Sequence, residues 1–286
     1  ISDCLVGSEM CIRDSFREVY MFKTDDRVTQ ICLFLAGLIF MFYAGIMAFN
    51  TGFFIDRYPT FDNDATNRYF IVWFGLNNIM FLSGIYYMGY KGVNRGFFVF
   101  TVPAQVLTIV WIVMALMRSG GDNYTGLILV ILSVVLLTVA RFRMNEPFSY
   151  TKADTAWGTN DGVAKGALYG SLILQTVILV TYFFQPNGLM ENNPNLEVTE
   201  QGSHFALGLT FLNVAVIIAL LFQLRTGFNG VLITMGLVWH VMFMSIVLVN
   251  IATAEGLDNG DPLLALAITL GFIFSATAFF RLQKQF

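Results

Sequence analysis

Eight long stretches of the sequence contain no Asp, Glu, Lys or Arg. They cover residues 29–55, 69–90, 96–117, 123–140, 166–190, 201–224, 226–254 and 262–280. A helix needs about 20 mainly apolar residues to cross the roughly 30 Å of hydrocarbon in a bilayer. Each stretch is apolar over enough of its length for one crossing. The sequence therefore predicts an all-α integral membrane protein with eight transmembrane helices, whose first partner is the lipid bilayer.

The composition agrees with that prediction. Hydrophobic residues make up 56% of the chain and charged residues 12%, whereas soluble domains carry about 25% charged residues. The mean hydropathy is +0.67 and the isoelectric point is near 5.3. Because there is no basic cluster, we expect no nucleic-acid partner.

The basic residues predict an orientation. If the N-terminus is cytoplasmic, twelve Lys and Arg residues lie on the cytoplasmic side: Arg17, Lys23, Arg27, Lys91, Arg95, Arg141, Arg143, Lys152, Lys165, Arg225, Arg281 and Lys284. Only Arg57, Arg68 and Arg118 lie on the other side. Positive charge concentrates on cytoplasmic loops, so we expect a multi-pass protein of the cytoplasmic membrane with both termini inside.

The two halves of the chain share a pattern. Leu76-Asn77 matches Leu212-Asn213 at an offset of 136, and Gly92 and Asn94 match Gly227 and Asn229 at 135. Recurrence at one spacing indicates an internal repeat. We expect two four-helix units, 21–145 and 166–286, joined by a cytoplasmic linker at 146–165 in which Trp157 lies at the membrane interface. Because each unit has an even number of crossings, the repeats must be parallel.

Each half has a long loop after its first span, a tight basic turn after its second, a short turn after its third and a basic exit. This layout resembles the small four-helix membrane families grouped as DoxX-like, present here as two tandem copies over residues 30–285. The resemblance implies an alternative function, an intramembrane enzyme or redox accessory subunit. It implies no catalytic residue and no substrate.

A set of polar side chains lies close to the midpoints of the spans. Its members are Asn77, Asn78, Gln105, Gln175, Asn213 and His240. In hydrocarbon such groups must find hydrogen-bond partners. They could join neighbouring helices, or they could line a binding pocket near the midplane in which His240 is the titratable member. One central histidine without carboxylate or thiolate neighbours is weak evidence for a metal or cofactor, and we expect none.

The spans lack the charged residues of several membrane protein classes. No mid-span lysine could form a retinal Schiff base, and no mid-span carboxylate could drive a proton or sodium antiporter. His204 is placed at the outer edge of the sixth span, so it is not expected to pair with His240 as a haem ligand. We therefore expect a non-enzymatic protein without catalytic residues, either a carrier of a small neutral solute or a membrane helper subunit.

Glycines 166 and 170 have the G-x-x-x-G spacing. This spacing lets two helix backbones approach closely, either inside one chain or between two chains. Packing within the chain and assembly as a homo-oligomer are both open.

The first 20 residues differ from the rest of the chain. Residues 5–15, LVGSEMCIRDS, are similar to the translation of a transposase adapter used in sequencing libraries. We expect 1–20 to be an artefactual extension without a stable fold, with Met21 as the native start and Cys32 as the only native cysteine.

Overall fold

The structure is a computed structural model that describes residues 24, 26–57, 62–119, 124–144, 152–193, 196–253 and 262–285. The predicted extension at 1–20 and the predicted start at Met21 lie outside these residues.

All regular structure in the described part of the chain is helical. The helices are α1 (Arg27–Ala44), continued by a π-helical turn (Gly45–Phe49), α2 (Thr51–Arg57), α3 (Ala65–Lys91), α4 (Arg95–Ser119), α5 (Thr125–Arg143), α6 (Gly162–Phe184), α7 (Gly188–Glu191), α8 (Glu200–Thr226), α9 (Gly230–Thr253) and α10 (Pro262–Leu282). Two short 3₁₀ turns, Ala156–Gly158 and Gln283–Gln285, complete the set.

Seven helical segments of the described chain are long and apolar enough to cross a membrane. They coincide with seven of the eight predicted spans, which makes this a polytopic membrane protein. The predicted span 226–254 coincides with α9, which is apolar over Gly230–Ser245.

Two predicted spans end earlier than expected. The first leaves its helix at Asn50 (φ −138°, ψ 56°), and α2 follows as a separate short helix. The fifth leaves its helix at Gln185 and continues into the four-residue α7. A break in the helix lets the chain turn where it leaves the apolar layer. Each of these two predicted spans, 29–55 and 166–190, is therefore a membrane helix followed by a short separate helix.

Polar caps fix where several helices begin. The carboxylates of Asp26, Asp64 and Asp161 and the hydroxyl of Thr199 each accept hydrogen bonds from backbone N–H groups in the first turns of α1, α3, α6 and α8. Such caps satisfy donors that a helix leaves open. Because Asp161 caps α6, residues 162–165 of the predicted linker belong to the helix instead.

The eight long helices pack as one closed ring. Its order is α1, α3, α9, α10, α6, α8, α4, α5 and back to α1. Helices α3 and α8, and α4 and α9, also touch across the middle. Each half of the chain supplies four neighbouring helices, and the two halves join where α3 meets α9 and where α4 meets α8. Large side chains such as Phe40, Phe97 and Met88 fill the space between them.

Two ion pairs lie at the end of the bundle where the chain begins and finishes, here called the terminal end. Arg143 at the end of α5 meets Asp26 at 2.9 Å, and Arg281 at the end of α10 meets Asp161 at 2.8 Å. A hydrogen bond from Arg143 lowers the pKa of the Asp26 carboxyl. The backbone N–H of Ala164, followed by Arg281, lowers the pKa of Asp161. Each half thus ties its first helix to its last.

The side chain of Trp157, expected at the membrane interface, does not lie on the surface of the protein. It is fully buried against α6 and α10. Its carbonyl accepts a hydrogen bond from the backbone N–H of Phe228 at 2.8 Å. The turn that receives it contains Gly227 at φ +99°, a conformation in which glycine is favoured. The segment before α6 is therefore part of the folded core at the terminal end.

Candidate functional site

A cavity of about 310 Å³ lies inside the first half of the chain. Side chains from α1, α3, α4 and α5 surround it, and α8 from the second half closes the remaining side. Its mouth is at the end of the bundle opposite the termini, where Arg118, Gly126 and Glu200 lie. The cavity therefore needs both halves of the chain.

Asn77 has an incomplete set of hydrogen bonds in the deep part of this cavity. Its Oδ1 accepts a hydrogen bond from Nε1 of Trp239 on α9 at 2.7 Å. Its Nδ2 is buried and has no partner. Only 3% of the residue is exposed. Burying an amide donor without a partner costs about 1–3 kcal/mol, so this N–H group is available to a ligand that brings an acceptor.

Three further polar side chains line the same part of the cavity. Asn78 donates through Nδ2 to the Phe74 carbonyl at 2.8 Å. Gln105 accepts through Oε1 from the Ser133 hydroxyl at 3.2 Å. Thr108 donates to the Ala104 carbonyl at 2.8 Å. Asn78 and Gln105 each keep a second polar atom beyond the bond they make, and the Thr108 hydroxyl oxygen can still accept a hydrogen bond.

Three parallel rings form one wall of the cavity. Phe74 stacks on Trp111 with ring centroids 4.8 Å apart, and Trp111 stacks on His204 at 5.2 Å, both at 14° between planes. Trp111 Nε1 donates to the His204 carbonyl at 2.7 Å, which fixes the stack between α4 and α8. His204 is 7% exposed, and both of its ring nitrogens lack a hydrogen-bond partner.

Gly208 makes this wall possible. A Cβ atom at this position of α8 would lie 2.8 Å from both Phe74 Cζ and Trp111 Nε1. The glycine lets the α8 backbone lie directly against the rings. No other residue fits there without moving them.

The mouth is held by contacts between the two halves. Thr66 Oγ1 donates to the Glu197 carbonyl and accepts from the Glu197 N–H, at 3.0 and 2.9 Å. Asn67 Nδ2 donates to Gln201 Oε1 at 2.7 Å. The short helix α2 brings Phe54 to the cavity rim. These bonds hold the start of α8, and with it His204, against α3.

The six predicted polar residues do not form one layer around one site. Asn77, Asn78 and Gln105 line the cavity. Gln175 and Asn213 lie between α6 and α8, where Asn213 Nδ2 donates to the Gln175 carbonyl at 3.3 Å. His240 Nδ1 lies 2.7 Å from the Gly236 carbonyl and 3.0 Å from Ser275 Oγ, and its ring packs against Gly271.

The region of the second half around Phe243 is closely packed. Phe243, which is 135 residues after Thr108, is 1% exposed and packs against Trp73 and Trp239, each at 4.3 Å between ring centroids. With His240 in close contact with Gly271, this region is an aromatic core.

The sequence interpretation missed the rings of the cavity wall. His204 was placed at the outer edge of its span, and Phe74 and Trp111 were not among the predicted site residues. One turn into α8, His204 is buried because Trp111 reaches it from α4. The signal in the sequence was Gly208, four residues after His204 on the same helix face. Among the described residues, no cluster of three or more His, Cys, Asp or Glu side chains could hold a metal.

Comparison of the chain with protein-family models, with curated proteins and with solved structures finds no match.

Proposed function

We propose that the chain binds a small neutral solute in the cavity of its first half and carries it across the membrane without chemical change. The observation behind this proposal is the pair of buried polar groups, Asn77 Nδ2 and the His204 ring, that line the cavity without hydrogen-bond partners. Unpaired buried polar groups are costly in a protein, and such groups converging on a concave site favour ligand binding.

The charges around the cavity favour an uncharged solute. Apart from His204, the ionisable side chains among the described lining residues are Arg118 and Glu200, with Tyr43. Arg118 and Glu200 are exposed at the mouth and have opposite charges. The deep part offers amides and a hydroxyl, which hydrogen-bond to neutral groups and cannot balance an ion in a low-dielectric setting.

The position of the cavity supports carriage. It runs from the mouth to Asn77, Gln105 and Leu212, and below these residues the packed side chains of Phe97 and Met88 close the terminal end. In alternating access, a carrier has one state in which a site near the middle of the bundle is open to one side of the membrane. The cavity corresponds to such a state.

We also propose that the two halves are parallel repeats. In support, α3 and α8 both have 27 residues and start 135 residues apart, and α4 and α9 also start 135 residues apart. Matching residues Asn94 and Asn229 touch each other, with Asn229 Nδ2 donating to Asn94 Oδ1 at 2.8 Å. Movement of one repeat against the other about this contact is a route to alternating access.

The charge distribution supports an orientation with the terminal end in the cytoplasm and the cavity open to the outside. The basic residues Lys91, Arg143, Arg225 and Arg281 end helices at the terminal end. Positive charge on that side is retained in the cytoplasm.

A cysteine accessibility experiment tests carriage without knowledge of the solute. Thr108→Cys is made in a background in which Cys4, Cys11 and Cys32 are Ala, and a membrane-impermeant methanethiosulfonate reagent is added to one side of vesicles at a time. We expect reaction from either side, because a carrier exposes its site to both. The matched control Ala278→Cys, at a buried position of α10 outside the cavity, should stay unreactive.

Three outcomes would contradict the proposal. Reaction from one side only would exclude carriage, and reaction from neither side would exclude a solute site and favour the helper subunit. A visible chromophore bound to the purified protein would favour the DoxX-like alternative, an intramembrane enzyme or redox accessory subunit.

A further inference from the structure

We propose that the solute is a small, neutral, planar heteroaromatic ring with a cyclic amide edge, a carbonyl oxygen beside a ring N–H. This inference rests on the proposed function of the cavity and names the class of molecule that fits it.

The hydrogen-bonding groups of the deep part call for a ligand with both a donor and an acceptor. Asn77 offers an N–H through Nδ2, which has no partner. The neighbouring Asn78 uses Nδ2 for the Phe74 carbonyl, and its Oδ1 makes no hydrogen bond within the described part of the chain. An amide has one carbonyl oxygen and two N–H groups to offer. Because both residues line the cavity, a ligand edge that carries C=O next to N–H can accept from Asn77 Nδ2 and donate to Asn78 Oδ1.

Trp239 makes Asn77 present a donor. Its Nε1 donates to Asn77 Oδ1 at 2.7 Å, and this bond fixes which end of the amide is left over. Trp239 lies outside the cavity lining and is itself held by Phe243 at 4.3 Å. It is therefore a positioning residue that acts on the solute through Asn77.

The ring wall calls for a flat molecule. The ring of Trp111 lies within 14° of parallel to the ring of Phe74 and to the ring of His204, and the hydrogen bond from Trp111 to the His204 carbonyl holds Trp111 against α8. Aromatic rings gain from stacked or edge-to-face contact beyond simple burial. A saturated ring of the same size would lose that gain.

Size and charge narrow the class further. A volume of about 310 Å³ is at the lower end of the roughly 300–1,000 Å³ that small-molecule sites occupy, so the solute has one or two rings. A carboxylate or ammonium group would be left without a counter-ion beside Asn77 and Gln105, which excludes charged derivatives.

Isothermal titration with uracil and three analogues tests this inference on the whole purified protein. Uracil has the flat ring and the amide edge. Dihydrouracil keeps the edge and loses the aromatic ring, 1,3-dimethyluracil keeps the ring and loses the N–H groups, and orotate adds a carboxylate. We expect uracil to bind and each analogue to bind at least about tenfold more weakly, since one lost hydrogen bond or stacking contact is worth about 1.4 kcal/mol.

Two matched variants link the result to the site. Trp239→Phe should weaken uracil binding by about fivefold or more because the Asn77 amide is freed to rotate. Trp157→Phe, a buried tryptophan outside the cavity, should leave the affinity unchanged. If Trp239→Phe unfolds in detergent, Asn78→Leu replaces it as the variant.

The failures of the two proposals are distinguishable. No binding of uracil, or equal binding of uracil and dihydrouracil, would overturn this inference, while two-sided reaction of Thr108→Cys would still support a carrier. Reaction of Thr108→Cys from one side only, or from neither side, would overturn the proposed function on which this inference rests.

Discussion

Replacing Phe243 by Ala should destabilise the protein and open a cavity between α3 and α9. The Phe243 side chain is 1% exposed and contacts the rings of Trp73 and Trp239, each at 4.3 Å between centroids. It lies 135 residues after Thr108, which makes the two positions equivalent under the proposed repeat. Its ring fills the space between α3 and α9.

The cost can be worked out from these contacts. In a soluble core a Phe→Ala substitution costs about 3–5 kcal/mol, part of which is transfer of the ring to water. In lipid that transfer part is small, because the surroundings are as apolar as the core. The loss of two aromatic pairs, at about 0.5–1.5 kcal/mol each, remains, together with the lost packing around the void. We expect a loss of about 2–4 kcal/mol.

Unfolding in mixed micelles by titration with sodium dodecyl sulfate measures this loss. The matched control is Phe280→Ala, whose side chain is 63% exposed on α10 and should change the free energy of unfolding by less than about 0.5 kcal/mol. Equal effects of the two substitutions would refute the reasoning, because they would show that the interior of the second half is not closely packed.

Three other predictions follow from single contacts. Gly208→Ala should displace the ring wall, because its Cβ would lie 2.8 Å from Phe74 and Trp111; we expect a loss of about 1–3 kcal/mol of stability and weaker uracil binding, whereas Gly166→Ala, with no atom within 4 Å, should change neither. The double variant Asn94→Ala with Asn229→Ala should lose less free energy of unfolding than the sum of the two single losses, with a coupling of about 0.5–1.5 kcal/mol in a double-mutant cycle. Strict additivity would show that the 2.8 Å contact between the two side chains contributes nothing. Folding lowers the pKa of Asp26 and of Asp161, so the stabilisation that these carboxylates give is present above pH of about 4 and is lost as the pH falls below it. The thermal unfolding of Asp26→Asn and Asp161→Asn should therefore depend less on pH in that range than the unfolding of the native protein. Unchanged acid sensitivity would contradict this.

The helices could be predicted from the sequence because each depends on local information. The charge-free runs define the membrane segments, and residues such as Asp161 mark where a helix starts. The packing of Trp157 could not be predicted in this way. A tryptophan near a predicted interface is typical of an aromatic belt. The burial of Trp157 depends instead on the turn at Gly227, about 70 residues later in the chain, and the sequence around Trp157 carries no information about that turn.

The site was predictable only in part for the same reason. The depth of Asn77, Asn78 and Gln105 along their helices follows from counting residues, and the structure places all three around the cavity. Which helices become neighbours does not follow from counting. The ring order puts α8 beside α4 and α9 beside α3, so His204 meets Trp111 across the two halves while His240 packs against Gly271.

We propose above that a neutral planar solute passes through the cavity of the first half. Counterflow of radiolabelled uracil into proteoliposomes preloaded with unlabelled uracil measures this passage directly. We expect transient accumulation of label with the native protein and with Leu132→Phe, a change at an exposed position of α5, and none with Thr108→Phe, which fills the cavity. Accumulation that is unchanged by Thr108→Phe, or absent with the native protein, would contradict the account.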